Sequence, residues 1–424
     1  MRSINNELQL KAEAAKAAVR FMAHLSSKIK NRALENIATE LLVKSSDLLA
    51  ANKLDYSAAE ESGMNTALLD RLLLTQERLE SIAGDVMAVT TLPDPIGEII
   101  ETRTLPNGLL IQKKRVPLGV IGAIYESRPN VTVDISSLCL KAGNAVILRG
   151  GKESIHSNKA LANLVCEAAA RAGLPDGAVE FIENTDRSIV NQMLGMGNYI
   201  DLIVPRGGAS LIKFVKENAV MPVVAGGIGV CHTYVDKDAD LDKAVAIAFN
   251  AKVQRPTVCN ALDSLLVHKD IADTYLPKIA AELVKVGVEL HCDAISLSIL
   301  ELTPELKPLP AEDDDWGKEF LSLVIAIKVV ASLDEALEHI SRYGSGHSEA
   351  IVTEDNDTAN RFLKEVDASC VYANASTRFT DGSQFGLGAE LGISTQKMHA
   401  RGPIGLKEIT SYKWIIFGSG QIRP

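Results

Sequence analysis

One cysteine stands where a nucleophile would be presented: Cys259, in the run Val253-Gln-Arg-Pro-Thr-Val-Cys-Asn260. A thiolate there can attack an acyl carbon and hold it as a thioester, and Arg255 or a helix N-terminus would favour that thiolate. Upstream, Pro222-Val-Val-Ala-Gly-Gly-Ile-Gly229 contains no carboxylate. A thioester with no general base near it in sequence is poorly equipped to activate water but can be released to a hydride. The chemistry expected is reductive, with an aldehyde as product. Against it stands the plainer reading that a single cysteine is a small buried hydrophobe.

Other reactive side chains carry less. Cys139, Cys166 and Cys370 lie in apolar surroundings and read as core, and Cys231 and His232 are neighbours in a strand, which aims them at opposite faces. His291-Cys-Asp293 has donors but no second pair at metal spacing, so a surface turn is expected there rather than zinc. The acidic run Glu312-Asp-Asp-Asp315 reads as a solvated loop.

A second chemical signature lies in Val116-Pro-Leu-Gly-Val-Ile-Gly-Ala-Ile-Tyr-Glu-Ser-Arg-Pro-Asn-Val131 and Leu140-Lys-Ala-Gly-Asn-Ala-Val-Ile-Leu-Arg-Gly-Gly-Lys152. Each is a strand followed by a glycine- or proline-interrupted turn that feeds a helix. Such helix starts offer N–H groups to a dinucleotide pyrophosphate. There is no G-x-G-x-x-G, so the pattern alone supports a cofactor site weakly. Arg149 and Lys152 stand at a strand exit, where a 2′-phosphate would want positive charge; a solvated basic pair is the alternative. Gly207, Gly208 and Ser210, in Val204-Pro-Arg-Gly-Gly-Ala-Ser210, could bring a further helix start close to phosphate or nicotinamide, or mark only a turn.

Positioning these groups takes a sizeable scaffold. With 424 residues, 46% of them hydrophobic, the chain can bury two or three domains' worth of core. The net charge of −10 comes without a basic block, which argues against nucleic acid as a partner and for small molecules. No apolar run approaches the ~20 residues that span a bilayer, so no membrane partner is expected. Six cysteines without CxxC pairs argue against a disulfide framework and fit a reducing cytoplasm.

Residues 1 to about 90 carry helical periodicity, as in Leu34, Ile37 and Leu41. Residues 98 to 116 alternate around Pro106-Asn-Gly108, a hairpin that needs a partner sheet to be stable. From Pro117 to about Val224, short apolar strands (120–124, 145–148, 179–182, 202–204) alternate with helical stretches such as 158–172, which predicts a parallel α/β sheet. A second α/β stretch runs from about His232 to Thr395. The last segment, Ile409 to Phe417, reads as a strand able to pair with the hairpin within or between subunits.

The blocks Val116 to Lys152, Ala251 to Asn260, Val371 to Gly388 and Glu390 to Leu406 resemble the glutamate-5-semialdehyde dehydrogenases, a family within the aldehyde dehydrogenase superfamily, nearly end to end. The resemblance implies an α/β, aldehyde-dehydrogenase-like fold: an NADPH-binding domain (1–98 and 117–228), a catalytic domain (229–398), and a small β oligomerisation flap (99–116 and 399–424). It also implies the second step of proline biosynthesis: NADPH-dependent reduction of L-glutamyl 5-phosphate to the semialdehyde, which cyclises to pyrroline-5-carboxylate. Oxidising superfamily members carry Glu-Leu-Gly-Gly where Val224-Ala-Gly-Gly227 stands here, and that glutamate activates water; Val224 cannot. The acidic ribose ligand of NAD-using relatives falls at or near Lys152, which supports NADPH over NADH.

Within that frame Cys259 is the nucleophile, with its own N–H and Asn130 as candidate oxyanion donors. Arg128, Arg255 and Arg378 are candidates for the substrate's phosphate and α-carboxylate, with Asn374, Ser376 and Thr377 as neutral donors and Glu126 for the α-amino group. Glu319 falls where the superfamily places a carboxylate on the nicotinamide ribose. A homo-oligomer is expected, with a glutamate 5-kinase as candidate partner. Two other readings stay open: an acylating dehydrogenase that delivers the thioester to coenzyme A, and a non-catalytic NADPH-binding thiol sensor.

Overall fold

In the computed structural model, which describes residues 6–423, the chain divides into two compact units. Among the described residues, the first comprises 6–225, 386–392 and 398–423, and the second 226–385 and 393–397.

The first unit opens with five helices, α1 (Asn6–Met22), α2 (Ser27–Val43), α3 (Ser45–Glu61), α4 (Thr66–Leu72) and α5 (Gln76–Thr91). Ser26 and Thr75 cap α2 and α5 by accepting the N–H of Ile29 and Arg78. The predicted stripe Leu34, Ile37 and Leu41 is wholly buried, each side chain worth roughly 1.5–3 kcal/mol of transfer free energy. It packs with α6 (Val131–Lys141) and α7 (Ile155–Ala172) into one core with the sheet.

That sheet is parallel, in the order β5 (Val179–Phe181), β4 (Ala145–Gly150), β3 (Val120–Tyr125), β6 (Leu202–Arg206). α8 (Arg187–Leu194) precedes β6, and α9 (Ala209–Asn218) follows it across Gly207-Gly208. β3 and β4 are buried on both faces, which explains why they read as continuous apolar runs.

The hairpin β1 (Ile99–Thr104) and β2 (Leu110–Pro117) forms a separate antiparallel sheet with the terminal strand Thr410–Phe417, which pairs with β2 from Thr410↔Pro117 to Phe417↔Leu110. The pairing lies within one chain.

The second unit is a seven-stranded parallel sheet. Its elements run β7 (Cys231–Val235), α10 (Leu241–Val253), β8 (Leu262–His268), α11 (Lys269–Lys285), β9 (Glu289–Cys292), α12 (Ala294–Leu300), β10 (Leu309–Pro310), β11 (Val324–Val330), α13 (Leu333–Tyr343), β12 (Ser348–Val352), α14 (Asn356–Glu365), β13 (Cys370–Ala373). The strand order is β10-β9-β11-β8-β7-β12-β13. The terminal strand Thr410–Phe417 is labelled β14, the two-residue strands Ile393–Ser394 and Gly402–Pro403 being left unnumbered. Both units place a loop that follows or precedes a central strand where chemistry is expected, as parallel sheets do at their strand ends.

Two expectations change here. His291 lies in strand β9, not a surface turn, with its ring nitrogens 2.7 Å from Asp315 Oδ2 and 2.7 Å from Glu289 Oε1. The run Glu312 to Asp315 is not a solvated loop throughout: Asp315 is buried, its carboxylate accepting from the Glu312 N–H as well as facing His291. An unbroken run of acidic residues hid the one that turns inward. No helix among the described residues is long and apolar enough to cross a membrane.

Candidate active site

In the second unit, Cys259 sits half-buried on the loop between α10 and β8, three residues before that strand begins. Gln254 and Asn260 bracket it. The Arg378 guanidinium donates through Nε to Gln254 Oε1 at 2.8 Å and through another nitrogen to Asn260 Oδ1, so one side chain ties both ends of the loop. Asn260 is held further: its Nδ2 donates to Thr380 O at 2.8 Å, and its carbonyl accepts from Thr377 Oγ1 at 2.7 Å. The loop and the short turn 377–379 are thus one hydrogen-bonded piece, which limits the conformations available to Cys259.

Two arginines share the surroundings of Cys259. Burial draws the Arg378 guanidinium below its ordinary value, the charges of Asp381 and Cys259 push it back up, and Arg255 opposes it. Arg378 and Arg255 therefore act on the same small region as Cys259, and Arg255 is solvent-exposed.

Beneath the loop runs a buried polar chain. Cys231 Sγ donates to the Cys259 carbonyl at 3.2 Å, and burial lifts the Cys231 thiol far above its ordinary value, so it stays a donor. His347 Nδ1 lies 3.8 Å from that sulfur and 2.9 Å from Ser348 Oγ, which lies 2.7 Å from Thr380 Oγ1. His232, the sequence neighbour of Cys231, faces the other way, onto Glu349 Oε2 at 2.9 Å. Gly229 N–H donates to Glu319 Oε1 at 3.0 Å, and the Gly229 α-carbon packs directly on the Cys259 backbone.

Burial lowers His347 from 6.5 to about 4, so it is neutral at pH 7 and does not serve as an imidazolium for the thiol. A depressed histidine stabilises the fold fully above 6.5, and that contribution is lost as pH falls from 6.5 toward 4. At 1.36 kcal/mol per unit, about 2 kcal/mol disappears by pH 5. Asp134 and Asp263, both lifted by burial to about 7, act with the opposite sign across this window. The informative quantity is therefore the difference between wild type and His347→Asn in urea unfolding. It is expected to shift by about 2 kcal/mol against the wild type between pH 7 and pH 5; a pH-independent difference would contradict the assignment.

In the first unit, the loop after β3 carries Glu126, Arg128 and Asn130. Ser127 adopts a left-handed φ of 47°, and Glu153 Oε1 holds it by accepting its N–H at 2.6 Å and its hydroxyl at 3.1 Å. Asn130 stands at the start of α6 with its Nδ2 donating to Asp134 Oδ2 at 2.8 Å, which spends one of its two amide hydrogens. Arg128 is half-buried and Glu126 exposed, with Glu126 Oε2 accepting from Gly208 N–H at 3.3 Å. The first N–H of the turn into α9 is therefore already facing a carboxylate.

The two cations at the β4 exit differ. Arg149 is buried and donates to the carbonyls of Thr185 at 2.7 Å and Asp186 at 3.3 Å, while its Nε is buried without a partner among the described residues. Lys152 is exposed. The start of α7, one of the helix termini expected to offer N–H groups, is closed by Asp55, whose carboxylate accepts from His156 N at 3.2 Å and Ser157 N at 2.7 Å. The exposed α9 turn, with Gly208 and Ser210 at its surface, is the helix start that stays accessible.

Asn374, Ser376 and Thr377, expected as neutral donors to substrate, also form hydrogen bonds within the protein. Asn374 takes positive φ (56°) and locks onto Thr353 through both amide atoms, Ser376 caps the turn at Arg378 N, and Thr377 holds Asn260. Gly229, Glu153 and Asn260 were not singled out, although a third glycine in Gly226-Gly-Ile-Gly229 is a legible sign of close backbone approach. Among the described residues no group of three or more His, Cys, Asp or Glu could hold a metal ion.

Comparison with known proteins gives the family. The model of the aldehyde dehydrogenase family matches residues 3–295 and 307–415. A gamma-glutamyl phosphate reductase of Dehalococcoides mccartyi is 65% identical over 417 residues, covering 98% of each chain, and one of Caldanaerobacter subterraneus is 54% identical over 98% of this chain and all of its own. The crystal structure of gamma-glutamyl phosphate reductase from Thermotoga maritima superposes with a TM-score of 0.95 at 47% identity, covering 99% of this chain and 100% of that one. An acetylating aldehyde dehydrogenase from Geobacillus thermoglucosidasius shares the fold at a TM-score of 0.70 and 19% identity, over 99% of this chain and 98% of its own. With these matches running end to end, the chain belongs to the aldehyde dehydrogenase family and, within it, to the gamma-glutamyl phosphate reductases.

Proposed function

We infer that this protein reduces L-glutamyl 5-phosphate to L-glutamate 5-semialdehyde and phosphate with NADPH, the second step of proline biosynthesis, the product closing to pyrroline-5-carboxylate. The observation that carries the reading is the loop around Cys259, tied at both ends by Arg378 and flanked by the exposed Arg255. Cys259 as thiolate attacks the γ-carbonyl carbon, the carbonyl pair moves onto oxygen, and its return expels phosphate and leaves a thioester. The Cys259 N–H and the second amide hydrogen of Asn130 are the donors for that oxyanion, each worth about 10²-fold or more in rate. NADPH, when bound, supplies the hydride. The same donors hold the thiohemiacetal oxygen, whose collapse forms the aldehyde and returns the thiolate. Arg255 and Arg128 suit the phosphate, and Arg378 the α-carboxylate. Asn374, Ser376 and Thr377 fit a positioning role.

The residues at the β4 exit fit NADPH. Glu153, the acidic residue of that turn, is spent on Ser127, which leaves the exposed Lys152 for a 2′-phosphate. The orphaned Arg149 Nε adds a buried donor, Gly207, Gly208 and Ser210 offer the accessible helix start, and Glu319 suits the nicotinamide ribose. Replacing Lys152 with alanine is expected to raise KM for NADPH roughly 10- to 100-fold with little change in kcat and none in NADH kinetics. An unchanged NADPH KM would remove Lys152 from the site.

The three-stranded sheet serves as the contact between copies in a homo-oligomer. Tyr412, Trp414 and Ile416 alternate onto one face of β14 and are 42–53% exposed, more apolar surface than a strand facing water alone would carry. The lability of an acyl phosphate favours a glutamate 5-kinase as partner.

The reading is tested by NADP⁺ reduction on pyrroline-5-carboxylate with inorganic phosphate or with coenzyme A as acceptor. Turnover that requires phosphate supports it; turnover that requires coenzyme A would make the protein an acylating dehydrogenase.

A further inference from the structure

The second unit contains a pocket of about 270 Å³ beside the nucleophile loop, lined among others by Gln254, Arg378, Asp381, Ser383 and Gln384. Gln254 and Arg378 belong to the clamp around Cys259, so the pocket begins where the loop ends. Its charged lining is one cation and one anion, Arg378 and Asp381, close enough that the Asp381 charge acts on the guanidinium. The remaining polar lining is neutral.

We propose that this pocket is the subsite for the α-amino-acid end of the substrate, with Arg378 on the α-carboxylate and Asp381 on the α-ammonium group; the proposal rests on the reductase reading above. A zwitterionic end carries both charges on one carbon, so its complement needs an anion and a cation side by side. Arg378 has five N–H donors and spends two on Gln254 and Asn260. Asp381 Oδ1 accepts from Ser383 N at 2.9 Å, from Ser383 Oγ and from Gln384 N at 3.3 Å, which fixes the carboxylate while Oδ2 takes none of these bonds. The α-carbon of a γ-glutamyl group lies three bonds from the carbon that Cys259 attacks, so a pocket next to the loop is at the right remove. Glu126, which the sequence suggested for the ammonium group, has its carboxylate on Gly208 instead.

A plainer reading is that Asp381 only neutralises Arg378, and substrate preference separates the two. The experiment measures phosphate-dependent NADP⁺ reduction on glutamate 5-semialdehyde, supplied as pyrroline-5-carboxylate, and on 5-oxopentanoate, which has the same chain without the amino group. Wild type should prefer the amino substrate in kcat/KM, and Asp381→Asn should reduce that preference roughly 10- to 150-fold, the loss of one charge-assisted hydrogen bond. Asp381→Glu, which restores the charge, should regain part of it. A preference unchanged in Asp381→Asn, or a parallel fall on both substrates, would overturn the subsite while leaving the reductase reading intact. Wild-type turnover on neither substrate would overturn both.

Discussion

Replacing Cys259 with alanine is expected to cut phosphate-dependent oxidation of pyrroline-5-carboxylate by at least about 10⁴-fold, to the background of the assay. The magnitude follows from the chemistry: without the sulfur there is no thioester, and neither oxyanion donors nor arginines can replace a missing covalent step. The variant should still fold. Cys259 is half-buried on a loop whose geometry is set by Arg378, Thr377, Thr380 and Cys231, which contact Gln254, Asn260 and the Cys259 carbonyl. An unchanged melting temperature together with lost turnover is the expected pair of results. Residual activity within tenfold of wild type would place the nucleophile elsewhere.

Gly229→Ala is expected to lower kcat/KM by about 10²-fold although the residue carries no chemistry. A β-carbon there would fall on the carbonyl of Cys259 and 2.7 Å from its β-carbon, a collision with backbone that no side-chain rotation relieves. Gly229 cannot readily retreat. Its N–H is held by Glu319 at 3.0 Å, and the next residue, Val230, exchanges hydrogen bonds with Ser345 Oγ at 2.9 and 3.2 Å. The nucleophile loop must therefore give way, and a displacement of about 1 Å costs on the order of 10² in rate. The accompanying loss of stability should be about 1–3 kcal/mol, the usual cost of overpacking. Steady-state kinetics alongside urea unfolding separate the two effects: near-wild-type kcat/KM would mean the loop tolerates the shift and that its position is less critical than the packing suggests.

Much of the fold was legible because its signals are local. The stripe Leu34, Ile37 and Leu41, the apolar runs that became β3 to β6, and the turn at Pro106-Asn-Gly108 each follow from periodicity or turn chemistry within a few residues. Cys259 stands out as a candidate nucleophile for the same reason, as a cysteine with no carboxylate in the nearby glycine block. What the sequence concealed depends on contacts made across long separations. Asn374, Ser376 and Thr377 share a motif with Arg378, and nothing local says that their hydrogen bonds go to Thr353, to the turn and to Asn260, or that Arg378 reaches back to Gln254. Asp315 and Asp55 look like surface carboxylates until His291 and the start of α7 are brought to them. Glu126 and Glu153 differ by which amide each meets, Gly208 or Ser127, and only the folded sheet sets those meetings.

The central claim is that an acyl group rests on Cys259 and is released to phosphate rather than to water, and a rapid-mixing experiment reads this directly. Enzyme, NADP⁺ and pyrroline-5-carboxylate are mixed without phosphate, NADPH absorbance is followed, and phosphate is added afterwards. A burst of one NADPH per active site that then nearly stops is expected, followed by sustained turnover on adding phosphate, with no burst in Cys259→Ala. Linear turnover in the absence of phosphate would contradict it, because water would then be reaching and cleaving the thioester.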